Sequence, residues 1–147
     1  MAQLRRAERR YQLATGDYGR LAAFRFALRK FLRFSEDAAA ALGLTGQHYQ
    51  AMLVVRACPE ERRLAIADLA QQLLIKHNRA VELVDRLALL DLVARGPSPS
   101  DRRKVELRLT ARGRGVLAKL AAMHRAELRR IGPELERFFA DLSGPAD

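Results

Sequence analysis

Residues 104–109, KVELRL, alternate strictly between polar and apolar side chains, while the other apolar residues of this chain recur mostly at three- and four-residue steps. A period of two puts Val105, Leu107 and Leu109 on one face of a strand and Lys104, Glu106 and Arg108 on the other. A short partner strand is read at Leu92-Val93-Ala94-Arg95, so the segment between them is the connection of a hairpin. A hairpin needs no more than a tight turn such as Asn-Gly. This connection is longer, is stiffened by Pro97 and Pro99, and carries Arg102 and Arg103 behind Asp101. A rigid, polar, arginine-bearing loop at the mouth of a half-buried strand suits a surface that meets something outside the protein.

The hairpin is preceded by helical patterns. NRAVELVDRLALLDL at 78–92 carries Ala80, Leu83, Val84 and Leu87 on one face, IADLAQQL at 66–73 reads as a short helix, and LIKH between them reads as a turn. Helix-turn-helix followed by hairpin is a winged helix, with the proline-rich loop as its wing. Upstream, Leu21, Phe24, Leu28, Phe31 and Leu32 mark a helix from Asp17 to Ala41; Gly43 closes it. Thr45 caps a second helix carrying Tyr49, Met52, Leu53 and Val55, which ends at Cys58-Pro59. Downstream, Thr110 caps a helix from 111 to about Ile131, Gly132-Pro133 breaks it, and Leu135, Phe138, Phe139 and Leu142 mark a last helix. Residues 1–12, with four arginines and few apolar partners, read as a frayed, solvated extension, the alternative being an arm that touches DNA; SGPAD reads as a loose tail. The expected fold is mainly α with a small β-hairpin wing: a basic extension (1–16), a helical dimerisation region (17–62 and 111–143) and a winged helix-turn-helix (63–110).

Charge narrows the partners. With 27 Lys and Arg against 17 Asp and Glu, the chain carries +10, a balance that attracts polyanions such as nucleic acid or an anionic membrane surface. The single cysteine, Cys58, excludes an intrachain disulfide or a cysteine-based zinc cluster. No signal peptide or spanning segment is read, and the protein is expected in the cytoplasm. The three histidines, at 48, 77 and 124, and the lone cysteine form no nucleophile–base motif, and no glycine-rich phosphate loop occurs. The chain is therefore not expected to be an enzyme, and no cofactor or metal is implied; His77 has no second His or Cys nearby at ligand spacing.

Taken together, Leu44-Thr45, Leu69-Ala70, LVDRL at 83–87, Leu92-Val93, DRR at 101–103 and LTARGRGVL at 109–117 resemble the MarR family of transcriptional regulators in order and spacing, over about residues 20–142. The resemblance implies a triangular homodimer with interlocked terminal helices and a winged helix at each foot. It also implies binding to a palindromic operator, usually as a repressor relieved by a small molecule. Three positions depart from the family's habit: Lys76, His77 and Asn78 stand where small residues are usual, Asp91 where a glycine is common, and Glu82 where a base is common.

With Ala80, Leu83, Val84 and Leu87 turned to the core, Asn78, Arg79, Val81 and Glu82 face a DNA groove. Asn suits adenine, Arg suits guanine and Val81 suits a thymine methyl. Arg79 is the foremost base reader. Glu82 could accept from cytosine, or pair with Arg79 or Arg86 along the helix, and the intrahelical pairing is preferred. Lys76 and His77 at the start of the helix are phosphate contacts, or else a solvated turn residue and a cap. In the wing, Arg102 and Arg103 suit phosphates or a narrow minor groove. The resemblance assigns Asp101 to a salt bridge with Arg103, leaving Arg102 the freer contact; Arg86 bridges either Asp101 or a phosphate. Phe34, His48, Tyr49 and Met52 could line a pocket for a small anionic or aromatic ligand, core positions being the preferred reading of each. Glu60 and Glu61 oppose a reactive thiolate at Cys58. The terminal helices carry Phe24, Phe31, Phe138 and Phe139, more apolar surface than one winged helix covers, which calls for a second copy of the chain. Two other readings stay open: an architectural or protein-binding antagonist that reads no sequence, and a membrane-surface binder using the amphipathic RFALRKFLRF at 25–34.

Overall fold

The computed structural model describes residues 1–143, so the tail expected at SGPAD lies outside the described residues from Gly144 onward. In chain order the elements are α1 (Ala2–Arg10), α2 (Thr15–Ala40), α3 (Gly46–Ala57), β1 (Leu64–Ala65), α4 (Ile66–Leu73), α5 (His77–Leu89), β2 (Val93–Pro97), β3 (Val105–Leu109) and α6 (Ala111–Ser143). They divide into two compact units: Ser35–His124, and Met1–Phe34 together with the residues from Arg125 onward.

The central unit is built on a three-stranded antiparallel sheet in the order β1-β3-β2. Its core includes Met52, Leu69, Val84, Leu87 and Leu120, all fully buried; burying each side chain of that kind contributes about 1.5–3 kcal/mol. The four positions expected to face inward on α5, namely Ala80, Leu83, Val84 and Leu87, are all buried. The caps also follow the sequence. Thr45 accepts from the backbone N–H of His48 at 3.2 Å, and His48 Nδ1 accepts from that of Thr45 at 3.1 Å, closing a capping box at the start of α3. Gly43 takes the left-handed conformation after α2, with φ of 72°. His124 stacks on Tyr49 at 4.0 Å; its Nδ1, 2.7 Å from the Leu120 carbonyl, must be the donor there, while Nε2 meets Ser35 Oγ at 2.8 Å.

The sheet departs from the alternation read in KVELRL. Leu107 and Leu109 are buried, but Val105 is 41% exposed and Glu106 only 8%. The cause is β1, which the sequence reading did not assign as a strand. It pairs Leu64 with Leu107 and Ala65 with Glu106, making β3 the central strand. Val105 lies opposite Pro97 at the wing end, and β2 runs on to that proline rather than stopping at Arg95. The buried Glu106 carboxylate meets Arg63 at 3.1 Å as an ion pair without hydrogen-bond alignment.

The junction of wing and last helix is tight. Thr110 Oγ1 donates to the Asp91 carbonyl at 2.6 Å and accepts from Gly113 N–H at 2.9 Å, while Thr110 N–H donates to the Leu92 carbonyl at 3.1 Å. A Cβ at Gly113 would stand 2.0 Å from that same oxygen, so the crossing requires glycine. Asp91, where the resemblance leads one to expect glycine, is left-handed with φ of 56°, a conformation Asp adopts more readily than most residues.

In the terminal unit, residues 1–12 are not frayed: Ala2–Arg10 form a helix, but one with no buried residue and with Arg9 and Arg10 complementing its C-terminal dipole. Phe24 packs edge-on against Phe138 (6.2 Å) and tilted against Phe139 (5.8 Å). Gly132-Pro133 does not break the last helix. Pro133 lies inside α6, where a proline forgoes one backbone hydrogen bond without ending the segment. Leu21, Phe26, Leu28, Leu32, Leu128 and Leu142 of this unit are each more than two-fifths exposed.

Candidate nucleic-acid interface

The interface is defined by what the core leaves outside. On α5, Asn78, Arg79, Glu82, Asp85 and Arg86 are exposed and Val81 is half-buried. Lys76 holds the N-cap position with extended backbone and no side-chain cap, so the first N–H groups of α5 point outward without a side-chain acceptor. His77 begins the helix, exposed, and is not its cap. The turn before it is made by Leu74 at φ of 54°, 92% exposed, after Asp68 has secured the start of α4 by accepting from Ala65 N–H at 3.0 Å.

Glu82 pairs along the helix with Arg79 at 3.4 Å, as preferred from the spacing; both side chains stay largely in solvent, at 65% and 71%. Arg86 is exposed, and no ion pair joins it to Asp101 among the described residues. Its charge helps, after burial, to hold the His48 imidazole below the usual histidine range, with Glu36 opposing. The bridge between recognition helix and wing runs instead from Asp85 on α5 to Arg95 on β2. The sequence reading missed this pair. Its one sequence signal is that Asp85 lies three residues beyond Glu82 on the outward face of α5.

The wing tip carries its own scaffold. Ser98 N–H donates to the Lys104 carbonyl and Lys104 N–H to the Asp101 carbonyl, each at 3.0 Å. The buried Ser98 hydroxyl lies 3.0 Å from that of Ser100 and accepts from Asp101 N–H at 3.4 Å. Asp101 and Arg103 do meet, but not as the expected salt bridge: the carboxylate accepts the backbone N–H of Arg103 at 3.0 Å. An acid two residues before a backbone donor closes a local turn without its neighbour's side chain. The guanidinium groups of both Arg102 and Arg103 are therefore exposed and outside every ion pair among the described residues.

Of the residues considered for a ligand pocket, Met52 is fully buried, Tyr49 stacks on His124 in the core of the central unit, and His48 serves the capping box. Among the described residues no helix is long and apolar enough to cross a membrane.

Residues 42–104 match the sequence model of the MarR family. A search of curated proteins found no match. Among solved structures, the chain is similar to AbsC, a MarR family transcriptional regulator from Streptomyces coelicolor, at 28% identity and a TM-score of 0.64, covering 85% of this chain and 81% of that one. It shares its fold with a mutant MarR from E. coli (18% identity, TM-score 0.68, 84% and 95% covered). A mutant of S. aureus MepR bound to an oligodeoxyribonucleotide is similar in fold as well (17% identity, TM-score 0.64, 83% and 91% covered). Over residues 42–104 this chain is similar to the MarR family, and the chain shares the fold of solved MarR family transcription regulators.

Proposed function

We propose that the protein is a homodimeric transcription regulator that represses from a palindromic operator and is relieved by a small ligand. One observation carries the reading: a single helix, α5, buries Ala80, Leu83, Val84 and Leu87 and presents Asn78, Arg79, Glu82 and Arg86 to solvent. A net charge of +10 supplies the attraction to the duplex. Phosphates meet Lys76, His77 and the uncapped N–H groups of α5, and Asn78, Arg79 and Val81 read base edges in the major groove. Arg102 and Arg103 reach the flanking minor groove or its phosphates. The exposed leucines of α2 and α6 support pairing of two copies, which sets two recognition helices about one helical turn, roughly 34–36 Å, apart. The oligonucleotide on the S. aureus relative supports the same use of the fold.

The Arg79–Glu82 pair favours one second reading: a winged helix that binds DNA or protein without reading sequence, its main base-reading side chain held by an acid. Fluorescence anisotropy on the protein's own promoter region and on a scrambled duplex, across a salt series, separates the two. A regulator binds its promoter preferentially, with log K falling against log[salt] at a slope near −7 for about eight phosphate contacts. Equal affinity for both duplexes supports the second reading, and no binding to either at low salt refutes the regulator and leaves only the protein-binding form of the second.

A further inference from the structure

We propose that α1, the turn after it and the first turn of α2 dock on an anionic phospholipid bilayer, lying in the headgroup region without crossing it. Short helices are marginal in water and owe most of their stability to packing. α1 has nine residues, none of them buried, and only Glu8 is half-buried, so its own chain covers little of it. Glu8 marks the side turned toward the chain: after desolvation, its charge helps to hold the Tyr18 phenol of α2 above the usual tyrosine range. The other acid of this stretch, Asp17, is answered by Arg20 at 3.1 Å.

The rest of α1 sorts by chemistry. The helical repeat puts Arg5, Arg6, Arg9 and Arg10 on one side and Leu4, Ala7 and the C-cap Tyr11 on the other. None of these arginines belongs to an ion pair among the described residues. Leu4 and Tyr11 are 65% and 67% exposed, and Leu13 and Tyr18 are exposed beside them. Arg10 lies over the Tyr11 ring, 5.8 Å from its centroid. Tyrosine suits the boundary of water and acyl chains, with its ring on the apolar side and its hydroxyl wet. Arginines on one side for headgroup phosphates, with Leu and Tyr on the other for the acyl boundary, are the composition of a helix that lies in a membrane interface. A nucleic-acid backbone would take the arginines and leave Leu4, Tyr11, Leu13 and Tyr18 in water. The same helix of a second copy would set like charges against each other. An anionic bilayer uses both sides of α1.

The docking does not rest on the regulator reading and is tested without DNA. The full chain is sedimented with vesicles of phosphatidylcholine alone and of phosphatidylcholine and phosphatidylglycerol in equal parts. It should pellet with the mixed vesicles and stay in solution with the neutral ones. An arginine at an anionic surface strengthens binding about fivefold, so Arg6→Gln/Arg10→Gln should weaken it roughly 25-fold. Arg112→Gln/Lys119→Gln removes the same charge from exposed positions of α6 in the central unit and should leave vesicle binding nearly unchanged. Leu4→Gln/Tyr11→Gln keeps every charge and should also weaken it. All these side chains are exposed, so the variants fold as the unmodified chain does. No preference for the mixed vesicles, an equal loss in the two charge variants, or undiminished binding by the Leu4/Tyr11 variant would each overturn the proposal. So would an Arg6/Arg10 variant that loses affinity for a scrambled duplex while its vesicle binding holds, which would give α1 to nucleic acid.

Discussion

Replacing Arg79 should weaken binding to the operator far more than binding to unrelated DNA. A bidentate arginine–guanine contact contributes about 1–3 kcal/mol of discrimination. In the free protein Arg79 lies 3.4 Å from Glu82 with both side chains well exposed. An ion pair of that kind is worth about 0.3–0.5 kcal/mol, and it is broken when the arginine turns to a base. The net effect of Arg79→Ala is then about 0.5–2.7 kcal/mol per half-site, a loss of roughly 2- to 100-fold for each. Alanine also strands the Glu82 carboxylate in front of the phosphates, which lowers all DNA binding alike. The Arg79→Ala/Glu82→Gln variant removes that complication and is the one to compare with the unmodified chain. Arg102→Ala is the counterpart: without this arginine each wing grips one phosphate fewer, which reduces the salt slope by about 0.9 per phosphate and affects every sequence equally. Anisotropy titrations of operator and scrambled duplex from about 50 to about 200 mM salt read both effects. Were the Arg79 variant to lose affinity by one common factor on both duplexes while its salt slope fell, Arg79 would be a phosphate ligand and its assignment as base reader would be wrong.

Two further predictions concern the frame behind that surface. Gly113→Ala places a Cβ 2.0 Å from a Leu92 carbonyl already held by Thr110, and should destabilise the protein by about 2–4 kcal/mol, lowering Tm by roughly 5–15 °C; an unchanged Tm in calorimetry would remove the close crossing. His48, held below the usual histidine range by burial first and Arg86 second, accepts from Thr45 N–H through Nδ1. The unfolded chain therefore takes up a proton near pH 6.5 that the folded chain resists, and stability falls as pH drops below about that value. His48→Gln keeps an acceptor for the capping box and should flatten that fall in denaturant titrations at either side of about pH 6.5; an equally steep fall in both proteins would refute the link.

The face of α5 that meets solvent was legible because burial is periodic. Once Ala80, Leu83, Val84 and Leu87 are assigned to the core, a helix has few other directions in which to put Arg79 and Glu82. Caps were legible for a related reason: Thr45, Gly43 and Thr110 act on backbone groups within three residues, and local chemistry decides them. The failures lie where the partner is distant in sequence. Glu106 reads as a solvent-facing strand residue until β1 arrives from the other side of the helix-turn-helix and Arg63 comes with it. Pro133 reads as a break, because the loss of one hydrogen bond is visible in the sequence and whatever holds the rest of α6 together is not.

Ion pairs at the interface follow the same division. Arg79–Glu82 is three residues apart on one helix and was readable; Asp85–Arg95 joins two elements and was not. The wing shows how a local solution can displace a long side chain. Asp101 needs only the N–H two residues on to close its turn, and holding a flexible guanidinium as well would cost rotamer entropy for an exposed pair worth little. Arg103 is thereby left beside Arg102 as a second exposed cation. A wing with two such arginines is more strongly drawn to phosphates, and less selective among them, than one in which Asp101 neutralises Arg103. On the proposed reading, base recognition then falls the more heavily on α5, where Arg79 must first leave Glu82.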